Sequence, residues 1–419
     1  MKIIELNKWI KNQKKANKMK TSIINFKDMD GWEFNESIID NDKKKFFSIA
    51  AFKFTNHIKQ TWYQPLIIQR EIGILGIIKK TIKSVDYYLL QAKIEPGNIN
   101  NIQLSPTVQA TKSNYLRAHG GKKTKFIDYF LKKTKTCKVI TSVKLSEQGT
   151  RYTSKSNRNI LINLKKSKLK ISSNFIWLSK KNLFYLIRKK NLLNMDSISV
   201  FSSSIKKNKN DNPINTFIKL KLRIKKESKS LFIKTKKISF QNLLGWKVLN
   251  SKIYDLKKNF FSVIALKVRT NSREVQSWCQ PIISDHFTSI NGFLLKKFNN
   301  TEHYLLQTVL EPGFEKPKFT STISIKNFND KNKIKDKFIK YFKNKKNILI
   351  DVVNSDEGGR FYRNETRNIV SVLKSKKRLN LPKKYIWASH NQIVDLISRN
   401  LLSIEARNLF ASFNIDKIK

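Results

Sequence analysis

The chain has 419 residues, of which 40% are hydrophobic and 11% aromatic, so it can bury a sizeable core in two or three domains. Its 85 Lys and Arg residues against 30 Asp and Glu residues give a formal net charge of +55, which on its own would favour a nucleic-acid partner. No nucleic-acid-binding motif accompanies the charge, and the lysines lie in segments that are also rich in Asn and Ile, as an AT-rich genome would produce. We therefore predict no specific nucleic-acid partner.

Targeting signals are missing from the sequence as well. The first 20 residues lack the apolar stretch of a secretory signal, and the most apolar segment, 66–78, is too short and too polar to span a membrane. Cys137 and Cys279 have neither a metal-binding spacing nor a disulfide pattern. These features predict a cytoplasmic protein without a membrane partner.

A set of landmarks occurs twice in the same order, which indicates an internal duplication. Gly31-Trp32 returns as Gly245-Trp246, 214 residues later. The later landmarks keep the order with similar spacings: Phe46-Phe47-Ser48 with Phe260-Phe261-Ser262, Trp62-Tyr63-Gln64-Pro65 with Trp278-Cys279-Gln280-Pro281, Glu95-Pro96-Gly97 with Glu311-Pro312-Gly313, and Arg158-Asn159-Ile160 with Arg367-Asn368-Ile369. We therefore predict two homologous modules.

The landmarks divide the chain into an N-terminal extension (1–24), a first module (25–205), a charged linker with room for one edge strand (206–237) and a second module (238–419). In each module, apolar runs of strand length come first: 46–54, 87–94 and 159–164 in one, and 260–269, 303–310 and 368–373 in the other. An amphipathic helix follows at 182–187 and again at 393–397, with Ser179 and Ser389 in the expected N-cap positions. The pattern predicts α+β modules.

Dense polar motifs distinguish the first module. They are Trp-x-Gln-Pro at 62–65, Gln-Ala-x-x-Glu-Pro-Gly-Asn at 91–98, Pro-Thr-Val-Gln-Ala-Thr-x-Ser-Asn-Tyr at 106–115, His-Gly-Gly at 119–121, Ser-Glu-Gln-Gly-x-Arg-Tyr at 146–152 and Asn-Arg-Asn at 157–159. In this order the motifs resemble the NDP-hexose 2,3-dehydratase family of deoxysugar biosynthesis, and the resemblance extends over essentially the whole chain.

The resemblance implies a tandem duplication of two Nudix-like mixed α/β domains, a homodimer, and a thymidine-diphosphate sugar bound without a catalytic metal. The implied reaction removes the C2 hydroxyl of dTDP-4-keto-6-deoxy-glucose and leaves a 3,4-diketo-2,6-dideoxy sugar, on which a 3-ketoreductase acts next. Elimination and enol tautomerisation supply the oxidation at C3 internally, so no cofactor is expected.

Such an elimination needs a base at C3, a proton donor for the departing hydroxyl and hydrogen bonds to the enolate oxygen. The candidate groups are ionisable residues of the motifs: Glu95, Glu147 and His119 as bases, and Tyr115, Lys155 and Arg151 as donors. Arg151 and Arg158 suit a diphosphate, and Trp62 could stack on the thymine or the sugar. Further polar residues complete the predicted substrate site: Gln64, Gln91, Asn98, Thr107, Gln109, Thr111, Asn114, Gln148, Gly149, Asn157 and Asn159.

Several of these residues occur again in the second copy, so they can equally support the shared fold instead of binding or converting a substrate. Glu95 returns as Glu311, Trp62 as Trp278, Glu147 as Asp356 and Arg151 as Arg360, so a shared scaffold explains them equally well. His119 has no counterpart, which favours a functional role, although a histidine in a glycine turn can also cap a loop.

The second copy lacks the Pro-Thr-Val-Gln, Ser-Asn-Tyr and His-Gly-Gly motifs, and we predict a degenerate second pocket there. Its expected residues are Trp278, Glu357, Arg360, Arg367 and Asn368. Replacing Glu147 or His119 should then reduce turnover more than replacing Glu357.

Two other functions compete with a dehydratase. A Nudix-type hydrolase needs a glutamate-rich box to hold Mg²⁺, and only the fragments Arg70-Glu71-Ile72 and Arg273-Glu274-Val275 occur. A non-catalytic nucleotide-sugar-binding protein stays open, because motifs alone do not fix a base and a donor.

Overall fold

The computed structural model describes residues 1–43, 46–116, 123–131, 136–165, 169–258, 260–325, 338–374 and 379–419. The first half contains the helices α1 (Ile3–Ala16), α2 (Lys112–Tyr115), α3 (Ile127–Phe130), α4 (Lys180–Ile187) and α5 (Met195–Ser202). Its strands are β1 (Met19–Ile24), β2 (Trp32–Phe34), β3 (Ile38–Asn41), β4 (Ser48–Asn56), β5 (Thr61–Ile68), β6 (Gly73–Ile82), β7 (Val85–Ile94), β8 (Ile102–Pro106), β9 (Val108–Ala110), β10 (Cys137–Ser146), β11 (Ser156–Leu164) and β12 (Phe175–Ser179).

The second half repeats this order. Its helices are α6 (Phe217–Ser230), α7 (Lys340–Lys343), α8 (His390–Ser398) and α9 (Ile404–Phe413). Its strands are β13 (Ile233–Ile238), β14 (Trp246–Val248), β15 (Lys252–Asp255), β16 (Ser262–Thr270), β17 (Ser277–Ser284), β18 (Ser289–Phe298), β19 (Thr301–Val309), β20 (Lys318–Thr320), β21 (Ile323–Ile325), β22 (Ile348–Ser355), β23 (Glu365–Val372) and β24 (Tyr385–Ser389). Two similar, sheet-rich halves of mixed α/β structure confirm the predicted duplication.

The predicted strands and helices all occur within a few residues of their expected bounds. The amphipathic helices α4 and α8 begin where the sequence placed their N-caps. The Ser179 hydroxyl accepts a hydrogen bond from the Asn182 amide, and Ser389 does the same for Gln392. Both caps satisfy an amide that the helix itself cannot pair. No helix in the described part of the chain is long and apolar enough to cross a membrane.

The repeat begins earlier than the landmarks indicated. Residues 1–24, expected as an extension, hold α1 and β1. The expected linker holds their counterparts α6 and β13, and β13 is the edge strand that the sequence predicted there. The strands are exchanged between the halves: β1 pairs with β16, and β13 pairs with β4. Each half therefore contributes one strand to the five-stranded sheet of the other half.

The seven-stranded sheets form the centre of each half. In the first half the order is β10-β11-β6-β7-β12, with β8 on β7 and β9 on β6, and β11 runs parallel to β6. Strand β6 is buried on both faces: Leu75 and Ile77 join one apolar cluster, whereas Ile74 and Ile78 join another. Such a strand reads as a continuous apolar run, because both of its alternating faces are covered.

One core joins the two halves. Helices α5 and α9 pack against each other between the large sheets, and the apolar cluster around them draws residues from both copies. Tyr88 meets the ring of Phe201 at 5.4 Å, and the equivalent Tyr304 meets Phe410 at 5.2 Å, both edge to face. Aromatic pairs of this kind each contribute about 0.5–1.5 kcal/mol beyond their buried area.

Candidate active site

The Glu-Pro-Gly turn of each half is bound to a loop of the other half. The Gly97 amide donates to the carbonyl of Gly358 at 2.7 Å, and the Gly313 amide donates to the carbonyl of Gly149 at 2.7 Å. A Cβ atom on Gly97 would lie 1.7 Å from the carbonyl oxygen of Phe361, so only glycine fits there. This contact brings Glu95, two residues earlier, next to the second half's loop 357–361.

The Trp-x-Gln motifs hold these loops in place. Trp62 Nε1 donates to Gln64 Oε1 at 3.2 Å, and Gln64 Nε2 donates to the Thr150 carbonyl at 3.0 Å. In the second copy Trp278 binds Gln280 at 2.8 Å, and Gln280 binds a backbone carbonyl of the equivalent loop at 2.8 Å. The motif is thus a support for the loop that follows β10 or β22.

A cavity of about 160 Å³, the inner chamber, lies between the two halves. The first half supplies most of its lining, including Gln69, Lys93, Glu95, Gln109, Thr111, Asn114, Glu147, Tyr152, Lys155, Asn157 and Asp196. The second half supplies Arg273, Gln280, Glu357, Gly359, Arg360 and Phe361. The chamber is therefore composite, and most of its polar groups are ionisable.

A larger cavity of about 700 Å³, the outer chamber, adjoins the inner one. The two chambers share Gln69, Gln109, Ala110, Thr111, Asn114, Arg273, Gln280 and Arg360, which therefore form the junction between them. The rest of the outer chamber combines polar and acidic residues, among them Asp30 and Glu274, with four aromatic side chains: Trp32, Phe46, Phe47 and Trp278. Flat apolar side chains of this kind suit a planar ring.

Two carboxyl groups from different halves meet in the inner chamber. The Lys93 ammonium lies 2.7 Å from Glu95 Oε1, and Arg273 Nη2 lies 3.8 Å from the same oxygen. Burial works to raise the pKa of Glu95, but these two cations and a hydrogen bond with Glu357 hold this pKa below its usual value. Burial and then the Glu95 charge raise the pKa of Glu357 to about 7. The pair thus combines an ionised carboxylate with a carboxyl group that keeps its proton near neutrality.

A third carboxyl group, Glu147, follows β10 and is buried. Its Oε1 accepts a hydrogen bond of 2.8 Å from Asn157 Nδ2. Burial raises the pKa of Glu147, although Arg407 and Lys155 oppose the shift. Burial also lowers the pKa of Lys155 to about 8, and its ammonium donates to the carbonyl of Glu71. Both groups can therefore exchange protons closer to neutral pH than free side chains do.

The equivalent region of the other half is nearly closed. A cavity of about 40 Å³ is lined there by Gln148, Asp356, Asn368 and Glu405, among others. This volume is close to that of a single water molecule and too small for a sugar ring. Burial raises the pKa of Asp356 to about 7 and that of Glu311 to about 8.

The structure brings part of the predicted site together. Of the predicted first-copy residues, those that line the inner chamber are Glu95, Gln109, Thr111, Asn114, Glu147, Lys155 and Asn157. Glu357, Arg360 and Trp278, expected in a second pocket, line the inner or the outer chamber instead. The sequence predicted a larger loss of turnover on replacing Glu147 than on replacing Glu357. The structure gives no reason for this difference, because both residues line the same chamber.

The other predicted residues are not among the described residues that line either chamber: Trp62, Gln64, Gln91, Asn98, Thr107, Tyr115, Gln148, Gly149, Arg151, Arg158, Asn159, Arg367 and Asn368. Most of them instead form hydrogen bonds or ion pairs that connect elements of the fold. The Thr107 hydroxyl, for example, accepts a hydrogen bond from the Ile78 amide at 3.0 Å, and the partly exposed Arg367 pairs with Asp351. His119 lies outside the described residues.

Sequence reasoning missed several lining residues, among them Asp196 and Arg273. Burial, Glu147 and Glu357 raise the pKa of Asp196 well above its usual value. Asp196 has an acidic counterpart, Glu405, at the equivalent position of the second copy, and this repetition was a usable signal. Arg273 belongs to the second module, and no motif around it indicated that its side chain lines a site built mainly by the first module. No group of three or more metal-binding side chains was found within the described ranges.

Comparisons with known proteins agree with this architecture. The family model described as NDP-hexose 2,3-dehydratase matches twice, over residues 4–203 and 220–413. A dTDP-4-dehydro-6-deoxy-alpha-D-glucopyranose 2,3-dehydratase of Amycolatopsis orientalis is 30% identical over 99% of this chain and 90% of its own length. Proteins of the same name from Saccharopolyspora spinosa and Streptomyces violaceoruber are 28% and 29% identical, over 98% and 96% of this chain and 91% and 95% of their own lengths. The chain belongs to the NDP-hexose 2,3-dehydratase family of enzymes.

Proposed function

We propose that the protein is a dTDP-4-keto-6-deoxy-glucose 2,3-dehydratase, which removes the C2 hydroxyl and leaves dTDP-3,4-diketo-2,6-dideoxy-glucose. The observation that carries the proposal is the inner chamber, where carboxyl groups of both halves surround a space for one sugar ring. The names of the three relatives support the choice of substrate.

The two chambers suit the two ends of such a substrate. The sugar occupies the inner chamber, whose volume of about 160 Å³ equals that of about five water molecules. The thymine lies in the outer chamber among Trp32, Phe47 and Trp278. The diphosphate then passes the junction between Arg273 and Arg360, where guanidinium groups oppose its charge.

The inner chamber contains the groups that the elimination needs. The C4 ketone acidifies the C3 proton, which the Glu147 carboxylate removes, and the electrons move to the ketone oxygen as an enolate. The Lys155 ammonium stabilises that oxygen. The enolate then expels the C2 hydroxyl, which leaves as water with the proton of Glu357. The resulting C2–C3 enol takes a proton at C2 and loses one from its C3 hydroxyl, which gives the 3,4-diketone.

The proposal extends to the setting of the reaction. Each half is a Nudix-like domain, the enzyme acts as a cytoplasmic homodimer, and a 3-ketoreductase consumes the product. The reactivity of a 3,4-diketone supports a coupled reductase, and the two mixed α/β halves support the fold assignment. Light scattering after size-exclusion chromatography tests the dimer, because a monomeric mass would contradict it.

Incubation of the purified protein with dTDP-4-keto-6-deoxy-glucose and a 3-ketoreductase tests the activity. We expect a product that has lost one water, detected by mass spectrometry, with and without Mg²⁺. A Nudix-type hydrolase would instead release dTMP, and a binding protein would return the substrate unchanged. Either result would refute the dehydratase.

A further inference from the structure

Arg151 and Arg360 occupy equivalent positions in the two copies but have different partners. Arg151 Nη2 donates to both carboxylate oxygens of Asp285, at 2.9 and 3.2 Å, and its guanidinium lies over the ring of Phe261. Arg360 lies over the equivalent ring of Phe47, with its guanidinium carbon 3.9 Å from the ring centre. The aromatic contact is thus repeated, whereas the ion pair is not.

The guanidinium of Arg360 retains unused hydrogen-bonding capacity. Its Nη1 donates to the Gly359 carbonyl at 3.0 Å, and its buried Nε has no acceptor. Within the described ranges, no carboxylate oxygen lies within 4.0 Å of it, whereas Arg273 at the same junction approaches Glu95. Arg360 acts on the carboxyl group of Glu357 only from a distance, and its charge helps to lower the pKa of that group. A half-buried guanidinium without a directly bonded carboxylate can accept an anionic ligand at low cost.

One difference between the copies lies at the end of the strand that precedes each arginine's partner position. Asp285 directly follows β17, and Gln69 directly follows the equivalent strand β5. The paired registers agree, because Ile68 opposes Ser48 just as Ser284 opposes Ser262. Where the second copy has a carboxylate that neutralises an arginine, the first copy has a neutral amide.

Gln69 and Arg360 also lie at the point that a nucleotide sugar must pass. Both residues line the inner and the outer chamber, so both face the junction between them. On the proposed function, the sugar lies on one side of this junction and the nucleoside on the other. The group that joins them is a diphosphate, whose charge a free guanidinium matches.

We propose, on the basis of that function, that Arg360 binds the substrate diphosphate and that the residue beside each arginine decides which copy can do so. Gln69 leaves Arg360 available. Asp285 occupies the hydrogen-bonding edge of Arg151 and withholds it from a ligand. The exchange of an amide for a carboxylate at this position thus makes one arginine available to a ligand and occupies the other.

Calorimetric titration with dTDP and with thymidine tests this inference without any turnover. Arg360→Gln and Gln69→Asp should each weaken dTDP binding about tenfold to a hundredfold, the loss of one charge-assisted hydrogen bond, and change thymidine binding far less. A purely structural defect would weaken both ligands alike. The matched variant Arg151→Gln should bind dTDP as the wild type does, because Asp285 already occupies this arginine, whereas Asp285→Asn frees Arg151 and should add a second dTDP site to the titration.

Equal dTDP affinity in the wild type and in Gln69→Asp would overturn the inference, and so would a wild type that does not bind dTDP. Equal losses in Arg151→Gln and Arg360→Gln would do the same. A wild type that binds dTDP with the expected variant pattern but does not dehydrate the sugar would instead remove the proposed reaction and leave the assignment of Arg360 standing.

Discussion

The amide of Gly97 donates a 2.7 Å hydrogen bond to the carbonyl of Gly358, and through this contact each half completes the other. It sets Glu95 of the first copy beside Glu357 of the second. The site is therefore not contained in one module, although the polar motifs are concentrated there. The chemistry uses groups from both halves.

Substitution of Gly97 should disturb this contact directly. In Gly97→Ala the new Cβ would meet the Phe361 carbonyl at 1.7 Å, and overpacking of this kind costs about 1–3 kcal/mol or more. We expect a lower free energy of unfolding in urea and a loss of turnover. Gly245→Ala is the control, because that Cβ meets no atom within 4 Å and only the positive φ of 82° is strained. Equal destabilisation in the two variants would contradict the steric explanation.

The two Trp-x-Gln motifs allow a paired experiment. Trp62→Leu and Trp278→Leu each remove an indole hydrogen bond to a glutamine and should destabilise the protein by similar amounts, roughly 0.5–1.5 kcal/mol each from the hydrogen bond. Only Trp278 lines the outer chamber, so only Trp278→Leu should raise KM, by roughly threefold to tenfold. Steady-state kinetics beside thermal unfolding separates the effects. A matching rise in KM for Trp62→Leu would remove Trp278 from the proposed nucleoside site.

The pH dependence of kcat/KM should report the carboxyl pair. Glu357 must be protonated to act as the acid, so kcat/KM should fall as pH rises through about 7. Burial and then the Glu95 charge raise this pKa, so Glu95→Gln should move the alkaline limb to lower pH. A limb that stays in place in Glu95→Gln would show that another group controls it.

The free energy of unfolding should also depend on pH, through the buried carboxyl group of Glu311 in the second copy. Burial raises the pKa of Glu311 to about 8, above its unfolded value, so its contribution to stability is complete in acid and is lost as pH rises through about 8. Glu311→Gln keeps a neutral side chain and should lose less unfolding free energy between pH 5 and pH 8.5, with about 1.4 kcal/mol per unit of pKa shift as the upper scale. Urea titrations at several pH values measure this difference. The exposed Glu315→Gln is the control, and equal pH profiles for both variants would contradict the prediction.

Local patterns were sufficient to predict the duplicated elements. The apolar runs gave β4 and β16, and Ser179 and Ser389 marked the starts of α4 and α8, because strand alternation and N-capping depend on neighbouring residues. The exchange of β1 and β13 could not be predicted in this way. Both strands are short and polar on one face, and nothing local distinguishes pairing within a half from pairing across halves.

The site was predictable in part for the same reason. Glu147 and Asn157 lie ten residues apart in neighbouring motifs, and their hydrogen bond is local. Arg273 and Glu357 come from the other copy and reach the chamber through long-range packing. Comparison of the copies assigned Glu357 to a pocket of its own, because equivalent residues were assumed to serve equivalent sites. The assumption was wrong, because the loop that contains Glu357 packs against the Glu-Pro-Gly turn of the first half.

Deuterium exchange at C3 of the sugar tests the division of roles between Glu147 and Glu357 most directly. Each variant is incubated with dTDP-4-keto-6-deoxy-glucose in D₂O, and C3 of the recovered sugar is followed by NMR. We predict that Glu357→Gln exchanges the C3 proton but releases little water, since the base remains and the acid is gone. Glu147→Gln should do neither. Exchange at the wild-type rate in Glu147→Gln, or normal elimination in Glu357→Gln, would contradict a composite site with its base in one half and its acid in the other.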